Sequence, residues 1–199
     1  MTESENVVRL DAMDETTLVA RAQDGDVLSF EVLVDRYQGP LFRLALRMLH
    51  DRGQAEDVVQ EALTTVWRRI GMLSDPVAFP RWTYQITTRV TLNALRSRTR
   101  QPVDAADPVT LDDGRLDRDA ADADRFDPAG VTENQALATA LRTQIALLPD
   151  ELRLCWTLYA DHGRTYQEIA EIIGVSRDTV RGRIARARQR LAGGMTSWQ

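Results

Sequence analysis

The sequence predicts an all-α protein: two small helical bundles joined by a flexible acidic linker, the second bundle containing a helix-turn-helix. Three observations carry that expectation. Apolar residues recur at three- and four-residue steps over residues 16–100 and again over 132–191. No stretch alternates as a strand would. Between the two units, residues 104–127 hold nine aspartates against three arginines, with Pro102, Pro108, Gly114 and Pro128 in or beside them. Large apolar side chains are sparse there, so the segment cannot bury enough surface to offset the entropy of ordering it.

The elements follow in order. Residues 1–15 are polar and acidic and read as a flexible N-terminal tail. In the first unit, 16–100, Leu18, Ala22, Phe30, Leu33, Val34 and Tyr37 form one stripe. Leu41 to Leu49 repeats it, and Ala55 to Ile70 carries it again. Breaks are expected at Gly25, at Gly39-Pro40, at Asp51-Arg52-Gly53 and from Gly71 through Pro80. A last helix covers Arg81 to Arg100. The linker occupies 101–131 and the second unit 132–194, opening at Thr132 as an N-cap with Asn134-Gln135 in the first turn. Pro149-Asp150 and Asp161-His162-Gly163 divide that unit. Only AGGMTSWQ follows Leu191, so no appended domain is expected.

Composition narrows the function. The chain has 199 residues, 43% hydrophobic and 28% charged, with a net charge of −5. All 25 cationic side chains are arginine. A GC-rich coding sequence explains this plainly, although guanidinium does suit phosphate and guanine better than ammonium. A single cysteine, Cys155, excludes a disulfide framework and a cysteine-based zinc site. His50 and His162 lie far apart, and no cluster has metal-ligand spacing, so neither metal nor cofactor is expected. The N-terminus has no signal-peptide core and no apolar run approaches about 18 residues. A cytoplasmic protein without membrane insertion is expected. No glycine-rich phosphate loop or nucleophile–base pairing is present, and acids such as Glu56-Asp57 read as solvated, which argues against an enzyme.

Residues 165–191 say most. Thr165-Tyr166-Gln167-Glu168 has the shape of a capping box. The helix it opens buries Ile169, Ile173 and Ala170 and stops at Gly174. Ser176 then caps a second helix with Val180, Ile184, Ala187 and Leu191 on its inner face. A small residue at the crossing, a glycine at the turn and an aliphatic lock on the second helix are what a DNA-binding helix-turn-helix requires. Between Ser176 and Leu191 stand Arg177, Arg181, Arg183, Arg186, Arg188 and Arg190 against one acid, Asp178. A solvated basic face is the plainer alternative, but such a helix repels itself without an anionic partner.

A second basic helix lies at 81–100, with five arginines and no acid. Trp82, Ile86, Val90 or Leu92, and Leu95 would form its packed face, leaving Arg89, Asn93 and Arg96 outward. Trp82 and Tyr84 are aromatic surfaces on which an unpaired base could stack, though a tryptophan at a helix start more often belongs to a core. Its arginines read as phosphate contacts. In AEDVVQEALTTVWRRI, the residues Ala55, Val58, Val59, Ala62, Leu63 and Val66 form the buried stripe, leaving Asp57, Gln60 and Glu61 exposed together. A solvated polar face is the ordinary explanation for those three.

These stretches resemble the extracytoplasmic-function class of the sigma-70 family. AEDVVQEALTTVWRR is similar to that family's polymerase-binding helix. DPVAFPRWTYQITTRVTLNALRSR resembles its segment for recognising and opening the −10 element. LPDELRLCWTLYADHGRTYQEIAEIIGVSRDTVRGRIARARQRL resembles its −35-reading domain throughout. The resemblance covers roughly 16–100 and 132–192, with the linker in the family's place. It implies a non-catalytic factor that directs core RNA polymerase to promoter DNA. Asp57, Gln60 and Glu61 would then sit against the β′ clamp helices, and the C-terminal unit would meet the β flap. Ser74, Asp75, Trp82, Arg89, Asn93 and Arg96 would serve the −10 element, where an unstacked base is captured. Arg177, Thr179, Arg181, Arg183 and Arg186 would serve the −35 major groove. The linker would thread the polymerase's RNA path, its negative charge resembling that of RNA. Family members are commonly held by an anti-sigma factor, which the resemblance adds as a candidate partner.

Two departures stand out. Arg89 occupies a place where the family usually has asparagine, which bears on the preferred −10 base. Thr83 follows the tryptophan where leucine is usual, which bears on packing. A stand-alone helix-turn-helix regulator would account for 165–191 equally well. It leaves the second basic helix, the acidic linker and the Asp57–Glu61 face without a purpose. A protein that merely binds polymerase would need none of the arginines of the last helix.

Overall fold

A computed structural model describes residues 10–100 and 139–195. The linker expected over 101–131 and the helix start expected at Thr132 lie outside the described residues. Among the described residues the chain forms α-helices and short 3-10 turns, and no strand.

Carboxylates start the first three long helices. Asp14 accepts the Thr17 amide at the head of α1 (Glu15–Gln23), Asp26 that of Ser29 at α2 (Val27–Leu49), and Asp51 that of Gln54 at α3 (Arg52–Arg69). The Asp14 carboxylate, bonded to Thr16 and Thr17, is held down at about 2. Gly25, at φ +92°, makes the turn into α2. His50 ends α2 in the left-handed region at φ 53°, where its amide closes on the Leu46 carbonyl at 2.9 Å.

The break expected at Gly39-Pro40 does not occur. α2 runs through Pro40 for 23 residues. Proline there removes one helical hydrogen bond, but Tyr37 and Leu41 on either side are both buried, and the apolar stripe outweighs that loss. Upstream, Leu10 in the expected tail is 3% exposed, and Arg36 donates to the carbonyls of Asp11 and Met13.

Two 3-10 turns, Ile70–Met72 and Pro76–Ala78, lead into α4 (Phe79–Arg100). The inner face of α4 differs from the expected one. Trp82, Ile86, Val90, Leu92 and Leu95 are only half-buried, whereas Thr83, Thr87, Thr88 and Thr91 are covered along with Phe79 and Tyr84. Two of those threonines satisfy themselves within the helix. Thr87 donates to the Thr83 carbonyl at 3.0 Å and Thr91 to that of Thr87 at 2.8 Å.

In the C-terminal unit, α5 (residues 139–146) precedes α6 (Asp150–Ala160), α7 (Tyr166–Ile173) and α8 (Arg177–Met195). Ile145, Leu148, Leu152, Ala187 and Leu191 gather around half-buried Trp156. The larger core joins Leu18, Leu33, Leu41, Leu44, Met48 and Phe79 to Leu158, Ile169 and Ile184. The two units therefore share buried surface. No helix among the described residues is long and apolar enough to cross a membrane.

Candidate nucleic-acid interface

The helix-turn-helix is assembled as its residues require. Thr165 accepts the Glu168 amide while the Glu168 carboxylate accepts the Thr165 amide at 2.8 Å, a reciprocal capping box. Those bonds, with Arg164 nearby, hold the Glu168 carboxyl below its usual range. Gly174, at φ +70°, closes α7 in a conformation that favours glycine. Ser176 accepts the Thr179 amide at 3.2 Å, and its hydroxyl meets that of Thr179 at 2.8 Å. Val180, Ile184 and Ala187 have no exposed surface and Ala170 almost none, so the two helices cross closely.

The outer face of α8 is not uniform. Arg177, Arg181 and Arg186 are exposed. Arg181 pairs with Asp178 at 3.2 Å, with both side chains over 70% exposed; such a pair contributes at most about 1 kcal/mol and leaves the guanidinium available. Arg186 turns its Nε back to the Gly182 carbonyl at 3.2 Å. Arg183 is set differently. Its side chain is 16% exposed and bonded to Glu151 of α6 at 2.6 Å, against the buried Cys155 thiol, whose pKa burial pushes up. Arg188 donates to the Tyr159 hydroxyl at 3.0 Å and lies over that ring. Thr179 is half-buried at the start of the helix.

Along α3 and α4, several residues singled out in the sequence converge. Glu61, Trp82, Arg89, Asn93 and Arg96 line one open cleft of about 620 Å³, closed on its far side by Glu171, Ile172 and Ile173 of α7. Asp57, Glu61 and Asn93 line a smaller neighbouring one of about 300 Å³. Glu61 and Asn93 belong to both. Arg96 donates to the Asn93 side-chain carbonyl at 3.4 Å. Gln60 is exposed on the same side of α3 as Asp57. Ser74 and Asp75 line neither cleft; both are exposed in the turn before α4, where Asp75 accepts the Val77 amide at 3.0 Å. An anionic strand entering the larger cleft would meet guanidiniums, a primary amide and the half-buried indole of Trp82.

Among the members of the larger cleft that sequence reasoning missed, two are charged. Arg69 ends α3, where a cation also complements the helix dipole and so attracts no notice. Glu171 sits on the polar side of a short helix, and nothing local in the sequence ties it to α4. Arg98, by contrast, leaves the basic face, donating to the Leu49 carbonyl at 2.8 Å and capping the end of α2.

The family model described as Sigma-70 region 2 matches residues 33–101, and that described as Sigma-70, region 4 matches 138–191. The chain is 35% identical to the RNA polymerase sigma-H factor of Pseudomonas aeruginosa, covering 86% of this chain and 89% of that one. It is 34% identical to the ECF RNA polymerase sigma-E factor of Escherichia coli K12, covering 89% and 92%. Among solved structures, CnrH in complex with the cytosolic domain of CnrY is similar in fold, with a TM-score of 0.64 at 23% identity over 92% of this chain and 97% of that one. So is the sigma factor RpoE in complex with the anti-sigma factor NepR from Bartonella quintana, at 0.62 and 20% identity over 84% and 96%.

Proposed function

The chain belongs to the extracytoplasmic-function class of the sigma-70 family, and we propose how its surfaces divide the work of a promoter-specific RNA polymerase sigma factor. Asp57, Gln60 and Glu61 on α3 face the β′ clamp helices of core polymerase, and the C-terminal unit meets the β flap. Ser74, Asp75, Trp82, Arg89, Asn93 and Arg96 hold the −10 element and a base drawn out of its stack. Extrusion costs a few kcal/mol, which a fitted pocket and phosphate contacts offset. Arg177, Thr179, Arg181 and Arg186 enter the −35 major groove, and Arg183 joins them once it leaves Glu151. A bidentate arginine–guanine contact there contributes about 1–3 kcal/mol of discrimination. The boundaries are 16–100 for the −10 unit and 132–194 for the −35 unit, with 101–131 as the connection. The protein performs no chemistry of its own and acts in the bacterial cytoplasm. An anti-sigma partner is part of this reading, on the likeness of fold to RpoE bound to NepR.

The observation that carries the reading is the exposed trio Arg177, Arg181 and Arg186 on the second helix of a fully capped helix-turn-helix. Run-off transcription with core polymerase on genomic fragments tests it, and initiation at discrete sites is expected. Asp57→Arg with Glu61→Arg should abolish co-elution with core polymerase while circular dichroism stays unchanged. Normal transcription by that variant would refute the assignment of α3. A stand-alone regulator would instead shift duplex DNA without polymerase.

A further inference from the structure

The larger cleft carries a one-sided hydrogen-bonding set on its α3 and α4 walls. Arg69, Arg89 and Arg96 line it, and a guanidinium only donates. Arg96 donates to the Asn93 side-chain carbonyl at 3.4 Å, which leaves the Asn93 amide its N–H groups. Arg69 and Arg89 are exposed and make no hydrogen bond or ion pair among the described residues. Two acids also line the cleft. Glu171 already accepts from Gln167 at 2.8 Å and pairs with Arg81, and Glu61 lines the neighbouring cleft as well.

Trp82, Arg89, Asn93 and Arg96 follow one another at helical steps and form one stripe of α4. Arg89 lies two turns beyond Trp82, about 10 Å along the axis. Helical side chains lean toward the N-terminus, so the guanidinium reaches back toward the indole. A flat ring lying on Trp82 would offer its edge to Arg89.

The bases differ in what that edge holds. Guanine presents two adjacent acceptors, O6 and N7, which fit the guanidinium fork. Adenine sets a donor beside its N7, and thymine sets a methyl group beside its one acceptor there. Cytosine freed from its pair exposes O2 and N3, but its single ring has less face to stack on an indole. Among the four, the donor-rich wall and the aromatic platform together match only guanine.

We propose that this cleft is selective for guanine: Arg89 takes the O6 and N7 edge of an unpaired guanine of the −10 element whose ring lies against Trp82. The proposal rests on the function proposed above and names the base that its −10 site takes. Asn93 and Arg96, further along the stripe, hold the neighbouring phosphate.

Transcription by the chain with core polymerase tests this on one promoter, located first by run-off and then remade with each base in turn at every −10 position. At one position guanine should exceed adenine, cytosine and thymine at least tenfold. 7-Deazaguanine in the strand carrying that guanine lacks N7 and should lose most of the advantage. Arg89→Asn should level the four bases at that position and make 7-deazaguanine equal to guanine. Arg89 is exposed, so the fold does not depend on it, and the 7-deazaguanine template needs no variant. Absence of any guanine-preferring position, or a guanine preference that survives Arg89→Asn or ignores the loss of N7, would overturn the proposal. No initiation on any template would instead sink the sigma-factor reading on which it rests.

Discussion

α8 and α4 carry similar loads of arginine on differently made helices. The inner face of α8 is aliphatic, with Val180, Ile184, Ala187 and Leu191 buried at three- and four-residue steps. The inner face of α4 is largely hydroxylated, with Thr83, Thr87, Thr88 and Thr91 buried and two of them bonded back to their own helix. Apolar burial therefore holds α8 in place and displays its cations. α4 gains less from its covered face and is held in part by its neighbours, among them α7. The two basic helices are thus anchored by different chemistry, α8 by aliphatic burial and α4 by covered hydroxyls and aromatic side chains against its neighbours.

Four measurements sharpen or break that contrast, taken from the largest effect down. Ile184→Ala should cost about 2–5 kcal/mol in denaturant unfolding, the cost of a cavity in a closed aliphatic face. A smaller loss would mean that apolar burial does not anchor α8. Acid should weaken the junction between α4 and the C-terminal unit. Burial, with Arg43, Arg164 and Arg47 nearby, pulls His162 from 6.5 down to about 4, so the unfolded chain binds the extra proton between those values. The stability from His162 is complete above pH 6.5 and falls by about 3 kcal/mol as the pH drops toward 4. The carboxyl of Asp161, pushed up by burial, works in the opposite direction. His162→Gln should flatten the pH profile, and an unchanged profile would show that this histidine does not govern it.

Arg181→Glu with Arg186→Glu should reduce −35-dependent transcription at least tenfold, a contact being worth about 1–3 kcal/mol, while core binding persists. Equal loss on templates lacking a −35 element would show that α8 does not read it. The smallest effect belongs to α4. Thr87→Val should change stability by no more than about 1 kcal/mol, because the Thr83 carbonyl keeps its helical amide donor. A large loss would show that the threonine hydroxyls anchor the helix after all.

Legibility in the sequence follows the same division. α7 and α8 are readable because each signal is local: a capping box at Thr165–Glu168, a left-handed glycine at Gly174 and an aliphatic period from Val180 to Leu191. α4 is readable as a basic helix but not in its orientation. Periodicity counts apolar residues, and its buried positions include threonines that bond to their own backbone. Pro40 reads as a break on propensity alone, and only the burial of Tyr37 and Leu41 on either side shows why α2 continues. The cleft joining Glu61 to Arg89 and Asn93 needs α3 and α4 side by side, which spacing within either helix does not reveal. The hydrogen bond between Tyr84 and His162, where the two units meet, is the least legible. Tyr84 and His162 are 78 residues apart, and nothing local in either stretch ties one to the other.

Hydroxyl-radical footprinting of promoter DNA bound by the chain and core polymerase tests the division of labour most directly. Two protected patches are expected. Arg181→Glu with Arg186→Glu should erase only the −35 patch, and Arg89→Glu with Arg96→Glu only the −10 patch. If both pairs of substitutions erase the same patch, or if the chain alone protects both, then α4 and α8 do not hold separate parts of one promoter.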